Sequence, residues 1–97
     1  MKFIQLIEYT TTRQDEMQAV LDKWLVATEG KRANSSGRTT QDRDRPNTYI
    51  NVVEFPSYEA AMKNSELPET QQLAEQLQKL SDGPPTFRNL DVIFDEG

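Results

Sequence analysis

The sequence predicts an α+β fold of ferredoxin-like βαββαβ order, with a four-stranded antiparallel sheet and both helices on one of its faces. Three observations carry this. Period-two apolar alternation marks strands at residues 2–10, 48–55 and 86–94. A stripe of apolar residues at helical spacing follows the first of these strands, and another follows the second. The polar stretch between, residues 31–47, has room for one short edge strand. At 97 residues the chain is expected to be a single domain over 1–97.

In the first strand Phe3, Gln5, Ile7 and Tyr9 fall on one side, and Ile4, Leu6 and Glu8 on the other. Both sides are mainly apolar, so both are expected to be covered. Thr12, with Asp15 three residues on, resembles a capping box and is expected to start a helix over residues 13–29. Met17, Val20, Leu21, Trp24 and Leu25 form its apolar face, and Gly30 is placed to end it. Residues 39–41 have mild strand character and give the edge strand, with a turn at "DRPN" after it. The next strand sets Tyr49, Asn51, Val53 and Phe55 against Ile50, Val52 and Glu54. Pro56 stops its ladder, and Ser57 is expected to cap the following helix. A break is expected at residues 65–67, because Pro68 suits the first turn of a new helical segment, 68–81. Leu73, Leu77 and Leu80 mark the buried side of that segment, and Gly83-Pro84-Pro85 ends it. The last strand sets Leu90, Val92 and Phe94 against Phe87, Asn89, Asp91 and Ile93.

The chain has no cysteine and no histidine. Disulfides, thiolate metal sites and thiol nucleophiles are excluded, as are Ser-His-Asp and Cys-His catalysis. The usual zinc ligand and proximal haem ligand is missing as well. Glu8 and Glu54 form a candidate acid–base pair; the alternative is two rim charges paired with arginines. A net charge of −5 argues against a nucleic-acid partner. No apolar run approaches the roughly 20 residues that span a bilayer, and "MKFIQLIEY" lacks the apolar core of a signal peptide. We therefore expect a cytoplasmic protein with no metal and no cofactor.

Two helices cover only one face of a sheet. The other face still carries apolar side chains, and exposed it would exceed the patch that monomers tolerate. A second copy packed face to face about a two-fold axis covers it. A homodimer is thus expected, which also reinforces a small domain without disulfides. The alternative is a monomer whose strand faces are only partly apolar.

The stretch "DRDRPNTYINVVEFPSYEAAMKNSELPETQQLAEQL" resembles the second half of the antibiotic biosynthesis monooxygenase family, in the dimeric α/β barrel superfamily. There a strand often ends in an acidic residue and an aromatic, followed by a short turn and a helix opening on Glu-Ala. Here Glu54, Phe55, Pro56-Ser57 and Glu59-Ala60 look like that run. The first half, "KFIQLIEYTTTRQDEMQAVLDKW", is similar in layout. The resemblance implies a homodimer with a pocket between sheet and helices in each subunit. Some relatives oxygenate aromatic polyketides without metal or flavin, others degrade haem, and others are isomerases. Relatives often carry a histidine in the second helix, where this chain has Lys63-Asn64. Haem degradation uses an Asn, a Trp and a His together, so the resemblance argues against it here.

If the strand side bearing Phe3 and Phe55 lies under the helices, Gln5, Tyr9, Tyr49 and Asn51 share it. Two amides and two phenols on an apolar wall suit an apolar or aromatic small molecule. An amide there can hold a phenolate or enolate oxygen as charge develops. The alternative is that Gln5 and Asn51 bond each other or water. Trp24 is either a wall of that pocket or core packing against the sheet. The expected pocket is Gln5, Tyr9, Trp24, Tyr49, Asn51, Phe55 and Asn64. Lys31, Arg32, Arg38, Arg43 and Arg45 cluster in the central stretch, as a dock for an anion or an acidic partner, or as a solvated loop.

Overall fold

The chain runs β1 (Phe3–Thr10), α1 (Gln14–Ala27), β2 (Ser36–Gln41), β3 (Thr48–Phe55), α2 (Tyr58–Ser65), α3 (Pro68–Leu80) and β4 (Thr86–Asp91). In this computed structural model, which describes residues 1–96, the strands form one antiparallel sheet in the order β2-β3-β1-β4. Gly97, the last residue of the expected domain, lies outside the described residues. The strand that is first in the chain is thus central in the sheet. It sets Phe3 opposite Phe55 and Tyr9 opposite Tyr49 on one side, and Phe3 opposite Asp91 on the other.

Alternation then decides which side chains meet the helices. Phe3, Phe55 and Ala61 form the buried cluster, with Val53, Ala60 and Met62 packed against it. The Phe3 ring meets Phe55 at 6.3 Å and Tyr58 edge-on at 5.4 Å. The side that also carries Tyr9 and Asn51, both buried, is therefore the one under α1, α2 and α3. Met17 fills the space beneath α1 and is fully enclosed. On the opposite side Ile4, Leu6, Ile50 and Val52 are only half-buried.

The α2–α3 break falls where proline chemistry puts it. Ser57 caps α2 by accepting a hydrogen bond from the Ala60 N–H at 3.1 Å, and Pro68 opens α3. Other boundaries differ from the sequence expectation. No side chain caps α1. Its entry is held instead by Thr11, fully buried, whose hydroxyl donates to the Leu80 carbonyl at 2.7 Å and accepts from the Arg13 N–H at 2.9 Å. Thr12 is exposed and plays no such part. The helix also stops at Ala27, two residues early. There the Thr28 hydroxyl donates to the Trp24 carbonyl at 2.6 Å, and Gly30 takes the left-handed turn beyond it, at φ +81°.

β2 begins three residues before the expected strand, because Ser36 and Gly37 still find partners in Glu54 and Val53. β4 ends at Asp91 rather than at residue 94. The Val92 N–H makes one more bond, to the Lys2 carbonyl at 2.9 Å, but β1 itself begins only at Phe3. Ile93 and Phe94 have no strand beside them and are 90 % and 80 % exposed. No helix among the described residues is long and apolar enough to cross a membrane.

Two substitutions test this core. Met17→Ala should lower unfolding free energy by about 2–5 kcal/mol, the cost of a cavity at an enclosed site. Thr11→Val should cost about 1–3 kcal/mol by orphaning the Leu80 carbonyl and the Arg13 N–H. Urea titrations read both; midpoints matching the wild type would show that neither residue holds the helices to the sheet.

Candidate functional site

Three clefts among the described residues divide the expected pocket. The largest, about 630 Å³, lies between α1, the 32–35 segment, β2 and β3. Trp24 and Asn51 both line it, with Leu21, Leu25 and Val53 as apolar wall. A volume of this size suits a small aromatic molecule. Gln5 and Tyr9 instead border a narrower apolar cleft of about 220 Å³ beside α3, with Ile7, Leu73, Leu77 and Phe87. Tyr49 lines a third, polar cleft of about 340 Å³ at the start of α1.

Asn51 stands apart from every other polar group on the sheet. It is 6 % exposed, and its side-chain oxygen is buried with no hydrogen-bond donor among the described residues. Buried amides are ordinarily paired, and an orphaned one costs about 1–3 kcal/mol. The sequence alternative, a bond between Gln5 and Asn51, is not what forms. Gln5 donates across to the Asn89 carbonyl oxygen at 3.3 Å, on the other side of β1. Asn51 faces Ile7 on β1 and Thr39 on β2, and neither offers it a partner.

Trp24 both walls the cleft and braces the helices. Its indole N–H donates to the Thr70 hydroxyl at 3.1 Å, tying α1 to α3. The Arg32 guanidinium lies 5.5 Å from the indole centroid, within cation–π range, and donates through Nη1 to the Leu25 carbonyl at 3.0 Å. The 31–47 stretch is therefore not a loose loop at its start. The Lys31 and Arg32 N–H groups both donate to the Thr28 carbonyl, and the Ser35 N–H donates to the Glu54 carbonyl at 2.8 Å.

The other expected residues hold the fold. Phe55 belongs to the buried cluster and lines none of the three clefts. Its aromatic bulk is spent on Phe3, its partner in the ladder. Asn64 lines none of them either; its carbonyl oxygen accepts the Ala33 N–H at 3.1 Å and pins that segment to α2. Tyr9 stacks on Tyr49 at 5.6 Å and donates to the Gln14 side chain at 3.1 Å. Burial raises the Tyr9 phenol above its ordinary pKa, outweighing the Gln14 bond, so it stays protonated and is no base. Glu8 and Glu54 sit at opposite ends of the β1–β3 ladder, opposite Ile50 and Ile4. Glu8 pairs with Arg45 at 3.3 Å, the rim role rather than an acid–base pair. Among the described residues no group of three or more His, Cys, Asp or Glu is placed to hold a metal ion.

Asn34 is the residue that the sequence reading missed. It borders the Asn51 cleft, and its carbonyl oxygen is also buried without a donor. Its amide NH₂ leans on the Ser36 carbonyl at 3.4 Å. Nothing in the pattern of a polar stretch separates a buried asparagine from a solvated one.

No family model matches the chain, and no curated protein sequence does. Solved structures do match. SnoaB, a cofactor-independent oxygenase from Streptomyces nogalater, is 15% identical over 97% of this chain and 95% of its own, with a TM-score of 0.81. Rv0793 from Mycobacterium tuberculosis is 13% identical over the whole of both chains, at a TM-score of 0.82. A structure named antibiotic biosynthesis monooxygenase is 12% identical over 96% of this chain and 99% of its own, at 0.75. Identities this low speak for architecture and not for reaction. The chain has the ferredoxin-like α+β fold of the antibiotic biosynthesis monooxygenase structures, the fold that the resemblance of its second half implied.

Proposed function

We propose that the chain is a homodimeric oxygenase of the antibiotic biosynthesis monooxygenase kind, acting without a bound cofactor on a phenolic or quinol aromatic held in the Asn51 cleft. One observation carries this reading: an Asn51 side-chain oxygen buried under the helices without a donor, at the edge of a cleft walled by the only tryptophan. A ligand hydroxyl that donates to that oxygen offsets its cost. The Asn51 Nδ2 group can donate to a phenolate, while its Oδ1 accepts from a neighbouring hydroxyl. The electrons come from the substrate. An activated CH₂ conjugated to the phenolate becomes a carbonyl: one oxygen atom of O₂ stays on carbon, and the other leaves as water with both hydrogens. The fold shared with a cofactor-independent oxygenase supports the same reading. The half-buried face of Ile4, Leu6, Ile50 and Val52 supports the dimer, since a second copy covers it.

No Asp, Glu, Lys or Tyr borders the cleft, so no side chain there supplies a titrating base. The rate should therefore rise with pH along the substrate's own phenol ionisation, because only the phenolate gives up an electron readily. An additional inflection that stays fixed when the substrate is changed would reveal a base on the protein.

Oxygen uptake screened over quinols and polyphenols tests the activity. Asn51→Ala should lower turnover by roughly 10²–10³, as loss of a preorganised oxyanion donor does elsewhere. No uptake with any compound would favour a non-catalytic binding module on the same fold. Asn51→Leu should move the other way in stability, gaining about 1 kcal/mol in urea unfolding as the orphaned amide is replaced by apolar volume. A loss of stability in that variant would mean that the amide is satisfied without ligand. Sedimentation should give twice the monomer mass, and a monomer at micromolar concentration would refute the dimer.

A further inference from the structure

The lining of the Asn51 cleft is electrostatically one-sided. The chain carries 16 Asp and Glu against 11 Lys and Arg, yet among the described residues no carboxylate borders this cleft, while Arg32 and Arg38 do. Alternation along β2, which sets Arg38 opposite Val52, turns the Arg38 side chain to the other face of the sheet. Arg32 is the cation that remains. Its position is built rather than incidental. Two N–H groups converging on the Thr28 carbonyl fix its backbone, and the Leu25 carbonyl and the Trp24 ring hold its guanidinium. Only one of its five N–H donors is used there, and it makes no ion pair among the described residues. The same cleft presents the buried carbonyl oxygens of Asn34 and Asn51, both without donors.

A complementary ligand brings hydroxyl donors for the two amides and an acceptor for the guanidinium. A single guanidinium among neutral amides balances one negative charge, and its planar fork matches a carboxylate with two parallel bonds. A phosphate dianion would leave a charge uncompensated. Resting on the binding site proposed above, we infer that the cleft selects a hydroxylated aromatic carboxylate, with Arg32 as the specificity-determining residue. Arg32 sets which phenol enters, and Asn51 holds the reacting oxygen.

The test compares β-hydroxynaphthoate with β-naphthol, which differ only by the carboxylate. The indole N–H of Trp24, the sole tryptophan, gives one cross-peak in a heteronuclear NMR titration. Wild type should bind β-hydroxynaphthoate about tenfold or more tightly than β-naphthol, the size expected of a charge-assisted pair. In Arg32→Gln the preference should fall to within about twofold while β-naphthol affinity is kept; Arg32→Lys, a point charge without the fork, should retain part of it. The amide dispersion of the same spectra reports whether each variant is folded. Equal affinity for both probes in wild type, or a preference that survives Arg32→Gln, overturns the selection by charge and leaves the aromatic site standing. An indole peak that neither probe moves overturns the site itself.

Discussion

The antiparallel register between β1 and β3 is the constraint on which the rest depends. With Phe3 opposite Phe55, every odd-numbered residue of β3 from Tyr49 onward turns toward the helices, and every even-numbered one turns away. The aromatic pair and Ala61 make that choice costly to reverse, because a slip of β3 by one residue would turn Phe55 to the other face and leave Phe3 without its partner. Asn51 is carried along by the same parity. Its burial is imposed by its neighbours on the strand rather than gained by its own interactions.

This gives the cleft its character. Its floor is a β3 residue whose side-chain oxygen lacks a donor, and its roof is a tryptophan whose edge is already tied to Thr70. One group is thus held rigid and the other left unsatisfied. A site with these two properties prefers a flat molecule with a polar edge, since the ring contributes area and the edge meets the amide. The neighbouring clefts lack this combination. The one beside α3 is almost wholly apolar, and the one at the start of α1 is rimmed by hydroxyl and charged groups.

Much of the fold was legible because strand and helix periods are local. Spacing alone put Phe3 with Tyr9 and Asn51 with Phe55 on shared strand sides but left open which side lies under the helices, while Pro68 announced the helix break. The site was less legible. Parity correctly put Gln5, Tyr9, Tyr49 and Asn51 on one face, but parity has no lateral coordinate. Where α1 and α3 lie across that face decides which cleft each residue enters, and they separate Asn51 from Gln5 and Tyr9. The ends of β4 and α1 were missed for a related reason. Residues 92–94 alternate like a strand, yet a strand also needs a partner, and β1 has none to offer there. Thr11 acts through a bond to Leu80, distant in the chain, which no local pattern reveals.

The sheet's order has a further consequence, for the time course of folding. β1 precedes β3 and β4 in the chain, yet it lies between them in the sheet and needs both. Its Phe3 meets Phe55 only after β3 has been made, and meets Asp91 only after β4 has followed. Such long-range pairings give slow, cooperative folding, in which closing the loops is costly before any contact compensates. Until β4 arrives, a mainly apolar strand has one open edge and nothing to cover it. The nascent protein is therefore most vulnerable to aggregation in the interval between the synthesis of α1 and that of β4.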